Sequence, residues 1–199
     1  MNITPEISYV TGFIIGDGNL SKSSYLIRAV EENEEFIRIF AEIFEKAFGK
    51  RPKIYFDKFN NSFVAYIHCK SIWEFLVKEL KIPPGAKSRI VRVPSQIINS
   101  TLQLKCSFLS GIFDAEGSPN KQLDSHHPNG YPRIELKVCN KPLLEDLSKL
   151  LKEIGIKHRI YHYPAFSLLG IYGRNECSKF LNYVGFKHPI KCKKLNVLL

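Results

Sequence analysis

Asp17 and Glu116 close two similar stretches about a hundred residues apart, Val10-Thr-Gly-Phe-Ile-Ile-Gly-Asp-Gly18 and Leu109-Ser-Gly-Ile-Phe-Asp-Ala-Glu-Gly117. Each is an apolar run with a small residue at every fourth position, ended by an acid and a glycine. Residues four apart share a helix face, so Gly12 with Gly16, and Gly111 with Ala115, leave one face of each helix bare of large side chains. Two such faces can approach closely. Gly18 and Gly117 fall where a helix commonly ends in a left-handed residue. The acids thus occupy equivalent ends of two helices expected to pack together. A helix C-terminus is the negative end of its dipole and leaves carbonyls unpaired. Two such ends, each with a carboxylate, repel unless a cation joins them. Hard divalent ions take carboxylate and carbonyl oxygens together, and two-metal phosphoryl-transfer sites hold ions roughly 3.5–4 Å apart. The pair reads as one composite metal site.

The elements that position these acids are duplicated. Thr4-Pro5-Glu6 starts the first motif helix, with Pro at its first position. A hairpin over residues 19–31 follows, then an amphipathic helix over 32–48 with Phe36, Phe40 and Phe44 at helical spacing and Gly49 as its cap. Residues 52–59 and 62–69 form a second hairpin about Asn60-Asn61, and 71–80 a helix that stops at Pro83-Pro84-Gly85. After a short helix begun by Pro94, the second motif opens the same programme. Residues 118–130 read as a polar loop, in which His126 and His127 are placed to touch phosphate rather than to activate a nucleophile. Tyr131–Val138 alternates as a strand, 143–154 is a helix ended by Gly155, 157–163 and 166–172 make a hairpin, and 175–183 a last helix. Gly49-Lys-Arg-Pro-Lys-Ile-Tyr55 answers to Gly155-Ile-Lys-His-Arg-Ile-Tyr161, and Pro84-Gly-Ala-Lys87 to His188-Pro-Ile-Lys191. This is a diverged internal repeat. The expected fold is α+β, with αββαββα halves over 1–100 and 101–199 that bury their motif helices against each other.

Composition narrows the partner. A net charge of +10 over 199 residues favours a polyanion. No basic block dominates, and the charge lies along strand-like segments, which suits a groove better than a tail. The five cysteines show no zinc-knuckle spacing. No apolar run reaches the length of a bilayer span, and the N-terminus lacks a signal layout. The expectation is an intracellular protein without membrane partners, in a prokaryotic cytoplasm or nucleoid or an organellar matrix. Met1 at one end and Asn196-Val-Leu-Leu199 at the other speak against a protein-splicing element.

With both motifs and the repeat in view, the chain resembles the LAGLIDADG homing endonucleases of the single-chain, two-repeat form. The resemblance covers nearly the whole chain. It implies antiparallel sheets forming a saddle on DNA, and cleavage of both strands at a long asymmetric target. It implies dependence on Mg²⁺, with Mn²⁺ able to substitute and Ca²⁺ binding without supporting cleavage. Carried over by position, Asp17 and Glu116 are the metal-binding acids, and Gly16 and Ala115 add backbone carbonyls. Lys87 and Lys191 fall where the family often keeps a basic residue near the scissile phosphate, with Lys121 a rival. Ile15 stands where the family has its first acid, whereas Asp114 keeps it, and neither is a metal ligand. The family often carries Gln or Lys at the end of the second strand, pointing at the catalytic centre. Here Glu31 or Glu32 stands there in the first half and Val138 or Cys139 in the second, so unequal cutting of the two strands is expected. The resemblance further implies 5′-phosphate and 3′-hydroxyl products with short 3′ overhangs, and a role in intron homing.

Strand side chains alternate between faces, so one face can enter the major groove. Tyr25, Arg28, Lys53, Tyr55, Lys121, Arg133, Lys137, Arg159 and Tyr161 are the candidate DNA contacts. Two half-saddles each following about one turn, at roughly 10 bp per turn, imply a target near 20 bp bound by a monomer. The rival readings are an intron RNA maturase and a non-catalytic DNA-binding regulator.

Overall fold

The computed structural model describes residues 1–124 and 127–199; His126 lies outside them. The first half runs α1 (Pro5–Gly16), β1 (Gly18–Leu20), β2 (Leu26–Glu31), α2 (Glu34–Phe48), β3 (Lys53–Asp57), β4 (Ser62–His68) and α3 (Lys70–Glu74), which continues as a π-helical turn, Phe75–Glu79. A short α4 (Ser95–Ile98) leads to the second half. That half runs α5 (Leu102–Glu116), β5 (Gly117–Asp124), β6 (His127–Val138), α6 (Lys141–Glu153), β7 (Arg159–His162), β8 (Ser167–Tyr172), α7 (Arg174–Tyr183) and α8 (Pro189–Leu198). Two four-stranded antiparallel sheets result, with orders β1-β2-β4-β3 and β5-β6-β8-β7. The fold is α+β with two pseudo-symmetric halves.

Local chemistry starts and stops the helices. Thr4 caps α1 through a hydrogen bond from Ile7 N (3.2 Å) to its hydroxyl, with Pro5 opening the helix. Asn33 and Asn140 cap α2 and α6 in the same way. Helix α1 is buried over almost its whole length, as its apolar run on every side requires. Phe13 packs on Phe40 and Phe36, with ring centroids 4.6 and 5.6 Å away, in one half; Phe113 and Phe186 pack on Phe180 in the other. The segment between the halves is strapped to the second: Arg92 makes a two-pronged ion pair with Asp146 at 2.7 Å, and Asn140 Nδ2 donates to Val91 O at 2.6 Å.

The structure corrects three expectations. Residues 118–124 and 127–130 are not loop: β5 pairs with β6 from Gly117↔Leu136 to Gln122↔Tyr131, and His127 opens β6. This segment has few β-branched residues, and its strand character comes from pairing with its neighbour rather than from propensity. The hairpin therefore reaches further than its first-half equivalent, whose strands span three and six residues. Gly18 and Gly117 are not left-handed caps. Neither has positive φ, and each begins a strand directly after its helix. A Cβ on Gly18 would lie 2.6 Å from Ile14 Cα, so glycine is required by the tightness of that turn. Finally, α8 continues beyond the expected last helix.

Candidate metal and nucleic-acid site

The bare faces of α1 and α5 meet. A Cβ on Gly12 would overlap the Phe108 carbonyl, and one on Gly111 would overlap the Tyr9 carbonyl and lie 2.9 Å from Phe13 N. At the end of the pair, a Cβ on Gly16 would lie 2.5 Å from Ala115 Cβ and 3.2 Å from Glu116 Cγ. Asp17, whose N–H bonds Phe13 O, and Glu116, the last residue of α5, therefore leave the two helices at one place. Burial raises both carboxyl pKa values above the ordinary range. Asp17 pushes Glu116 further up and Glu31 does so for Asp17, while Lys87 and Lys191 work against both shifts.

Each helix end also receives one lysine. Lys87, only 8% exposed, donates to Gly16 O (3.2 Å) and Gly18 O (2.6 Å). Lys191 donates to Asp114 O and to Ala115 O (3.1 Å). The first comes from a loop and the second from the start of α8, yet they occupy corresponding places. Burial lowers the pKa of both amines, and the surrounding acids oppose that shift. The Gly16 and Ala115 carbonyls thus each accept one lysine bond and keep a second lone pair for an ion. Among the described residues no cluster of three or more His, Cys, Asp or Glu side chains can hold a metal. The donor set is two carboxylates and helix-end carbonyls, all oxygen, which fits a hard divalent cation that keeps other ligands from solvent or phosphate. Lys121 is elsewhere. It pairs with Pro132, one residue out of phase with Asn120↔Arg133, so it projects from the sheet face opposite Arg133, alongside Gly130.

Asp114 is fully buried and accepts from Tyr9 Oη (2.6 Å), Lys187 N (3.0 Å) and His188 N (3.1 Å). It ties α1, α5 and the start of α8 together and so sets Lys191 in place. Replacing it with Ala orphans three buried donors, each costing on the order of 1–3 kcal/mol. Denaturant unfolding of Asp114→Ala is expected to show a loss of about 3 kcal/mol or more; a change below about 1 kcal/mol contradicts this role.

Beside the acids lies a cavity of about 590 Å³ whose lining includes Asp17, Glu31, Asn60, Ser62, His188 and Lys191. Of the alternatives at the end of the second strand, Glu31 takes the inner position. Its Oε1 accepts from Glu32 N and Asn33 N and lies 3.7 Å from His188 Nε2. Its second-half counterpart by register is Val138, partly buried against the core.

The sheet registers place the strand residues. With Ile27 and Ala29 packed on the helices, Arg28 faces outward in the row Asn19–Arg28–Tyr66–Lys53. Tyr55 lies on the same face. In the second half Arg133, Lys137, Arg159 and Tyr161 face outward, and Lys53 and Tyr55 correspond to Arg159 and Tyr161. Tyr25 is not on a strand but in the β1–β2 turn, edge-on to Trp73 under Lys70. Asn19, Tyr66, Glu135 and Tyr172 also face outward without being sequence candidates. Glu135 pairs with Arg133 at 3.4 Å, and its phase in the alternating run 131–138 was a sufficient signal. Tyr172 lies flat over Gly170, and no local signal marks it.

The family model for the LAGLIDADG-like domain matches residues 103–185. Curated relatives include homing endonuclease I-ApeI of Aeropyrum pernix, 27% identical over 139 residues, 67% of this chain and 59% of that protein. The replication factor C small subunit of Methanocaldococcus jannaschii is 28% identical over 96% of this chain but only 10% of its own length. The chain spans between a tenth and a quarter of this protein, the Methanocaldococcus jannaschii glutamine–fructose-6-phosphate aminotransferase and the Pyrococcus furiosus tRNA-splicing ligase RtcB. Among solved structures, I-DmoI in complex with DNA and Ca superposes with a TM-score of 0.66 at 18% identity, covering 99% of this chain and 100% of that one. I-WcaI bound to its DNA recognition sequence gives 0.68 at 16% identity, covering 98% and 88%. No helix among the described residues is long and apolar enough to cross a membrane.

Proposed function

We propose that this chain is a LAGLIDADG-family protein and acts as a monomeric, site-specific endonuclease cutting both strands of a long, asymmetric DNA target, a reading that the matched family model and the shared fold support. The observation that carries this reading is the convergence of Asp17 and Glu116 where α1 and α5 abut, each backed by a lysine on the adjoining carbonyls. Asp17, Glu116 and the second lone pairs of the Gly16 and Ala115 carbonyls would hold divalent ions. A divalent ion held by these oxygens would supply Lewis-acid charge for phosphodiester hydrolysis. Lys87 and Lys191 offset the negative helix ends before DNA arrives, and their ammonium groups then face charge developing on the scissile phosphates. The halves 1–100 and 101–199 each follow one half-site, with Arg28, Lys53, Tyr55, Arg133, Lys137, Arg159 and Tyr161 in the groove. Related structures of I-DmoI with DNA and Mn or Ca support the choice of duplex and divalent ion. Products with 5′-phosphates and short 3′ overhangs, and spread of the enzyme's own coding sequence, complete the reading.

The test is incubation of a random-insert plasmid library with Mg²⁺ and sequencing of the cut ends. Cuts at one shared asymmetric sequence of about two helical turns are expected. Tight, salt-sensitive binding without cuts in any divalent ion overturns the enzyme reading.

The two strands meet unequal surroundings at the shared centre, because Glu31 lines its cavity whereas the register counterpart Val138 packs against the core. Quench-flow on the recovered target is expected to show one strand nicked several-fold faster, with Glu31→Gln changing one rate only. Equal first-order cutting of both strands by the wild-type protein removes this claim.

A further inference from the structure

The β3–β4 turn carries an aromatic ring into solvent beside the acidic cavity. Phe59 is 96% exposed, the most open large apolar side chain among the described residues. Its turn is fixed in shape: Asp57 Oδ1 accepts from Phe59 N (3.0 Å) and Asn60 N (3.3 Å), its Oδ2 accepts from Asn60 Nδ2 (2.8 Å), and Asn61 is left-handed. The hydrogen bonds from Asn60 hold the Asp57 carboxyl below its usual range. The position is central, because Ser62 follows the turn and lines the cavity with Asn60, Asp17 and Lys191. The register agrees: Phe63 pairs with Glu31, so residues 58–61 lie beyond the end of β2 that reaches the acids.

The matching turn of the other half pairs its aromatics, although Tyr163 remains exposed. Tyr163 and Phe166 stack on each other with centroids 4.8 Å apart, and Lys137 lies over the Phe166 ring. One turn thus has a self-satisfied aromatic pair and the other a lone ring on a rigid mount. An exposed ring on a preorganised turn, next to a basic residue (Lys58) and continuous with the acidic centre, suits a partner with flat apolar faces and a polyanionic backbone. Base pairs are that partner, and apolar side chains inserted at base steps unstack and kink duplexes.

We propose that Phe59 is a one-sided wedge, stacking into the duplex beside the cut on the first-half side and partly unstacking one base step there. The inference rests on the endonuclease reading above and adds a deforming residue to it. Insertion on one side only bends the target asymmetrically.

The test uses the full chain and the target recovered from the plasmid library, with 2-aminopurine placed at successive positions near the cut and a donor–acceptor dye pair at the duplex ends. With a chelator present, wild-type protein is expected to brighten 2-aminopurine at one step on one side and to bring the dyes together. Phe59→Ala is expected to lose that brightening, to reduce the bend and to slow cleavage by tenfold or more in Mg²⁺, with affinity changed less than the rate. Phe59→Trp restores all three readouts. Unchanged brightening, bend and rate in Phe59→Ala overturn the proposal while wild-type cutting leaves the endonuclease reading intact. So does a wild-type dimer in sedimentation that Phe59→Ala converts to monomer with no change in bend. A wild-type protein that cuts nothing in the plasmid library fails the endonuclease reading itself.

Discussion

Gly111→Ala is expected to destabilise the protein by several kcal/mol and to abolish DNA cleavage. The added methyl has no flexible neighbour to displace: it overlaps the Tyr9 carbonyl and stands 2.9 Å from Phe13 N, both backbone atoms of a fully buried helix. The helices must separate, and cores resist even one extra methylene at about 1–3 kcal/mol where side chains can adjust. Here backbone must move instead, and the separation is carried to the helix ends that hold Asp17 and Glu116. Gly49→Ala is the control. Gly49 is left-handed (φ 68°) with open space around it, so its cost is limited to the conformational penalty, about 1 kcal/mol. Chemical denaturation of both variants tests the claim; equal losses would show that Gly111 is conserving conformation rather than contact.

Asp17→Asn and Glu116→Gln are expected each to reduce cleavage by at least about a thousandfold, the scale on which electrostatic groups at reacting centres act, while the duplex is still bound. The same changes should raise thermal stability. Burial lifts both carboxyl pKa values in the folded protein. Between the unfolded and folded pKa the native state holds more protons than the unfolded chain, so stability falls as pH rises through that window and the penalty is complete above the folded pKa. A neutral isostere removes the penalty. Melting curves at pH 7 and below the carboxylate range separate the cases: the stability gain over wild type is expected at pH 7 and should vanish in acid. Lower melting temperatures at pH 7 would mean that the acids serve folding rather than chemistry.

The helix pair was readable in advance because its determinant is local: small residues four apart in Gly12/Gly16 and Gly111/Ala115 write the contact face directly into the chain. The α+β duplication was readable for a related reason, since Gly49–Tyr55 and Gly155–Tyr161 repeat one turn and strand, and the registers set Tyr55 and Tyr161 at matching positions. Lys87 and Lys191 were visible only as members of that repeat. Nothing local says that one reaches its carbonyls from a loop and the other from a helix. Asp114 was set aside as a residue without metal, and its hydrogen bonds to Tyr9 and to the start of α8 span sequence distances no local pattern carries. The β5–β6 hairpin carries no local signal, because its polar residues read as a loop while backbone pairing alone makes the strands. Lys121 was misplaced with it, since a strand fixes phase and a loop does not.

The central claim is that one composite centre at the ends of α1 and α5 serves both strands of one duplex. The most direct measurement is strand-resolved cleavage of the recovered target, end-labelled on each strand in turn, by wild type, Asp17→Asn and Glu116→Gln in Mg²⁺. Two offset cuts by the wild-type protein, with both cuts lost in each single variant, are predicted. Survival of either cut at its wild-type rate in one of the variants would contradict a shared centre.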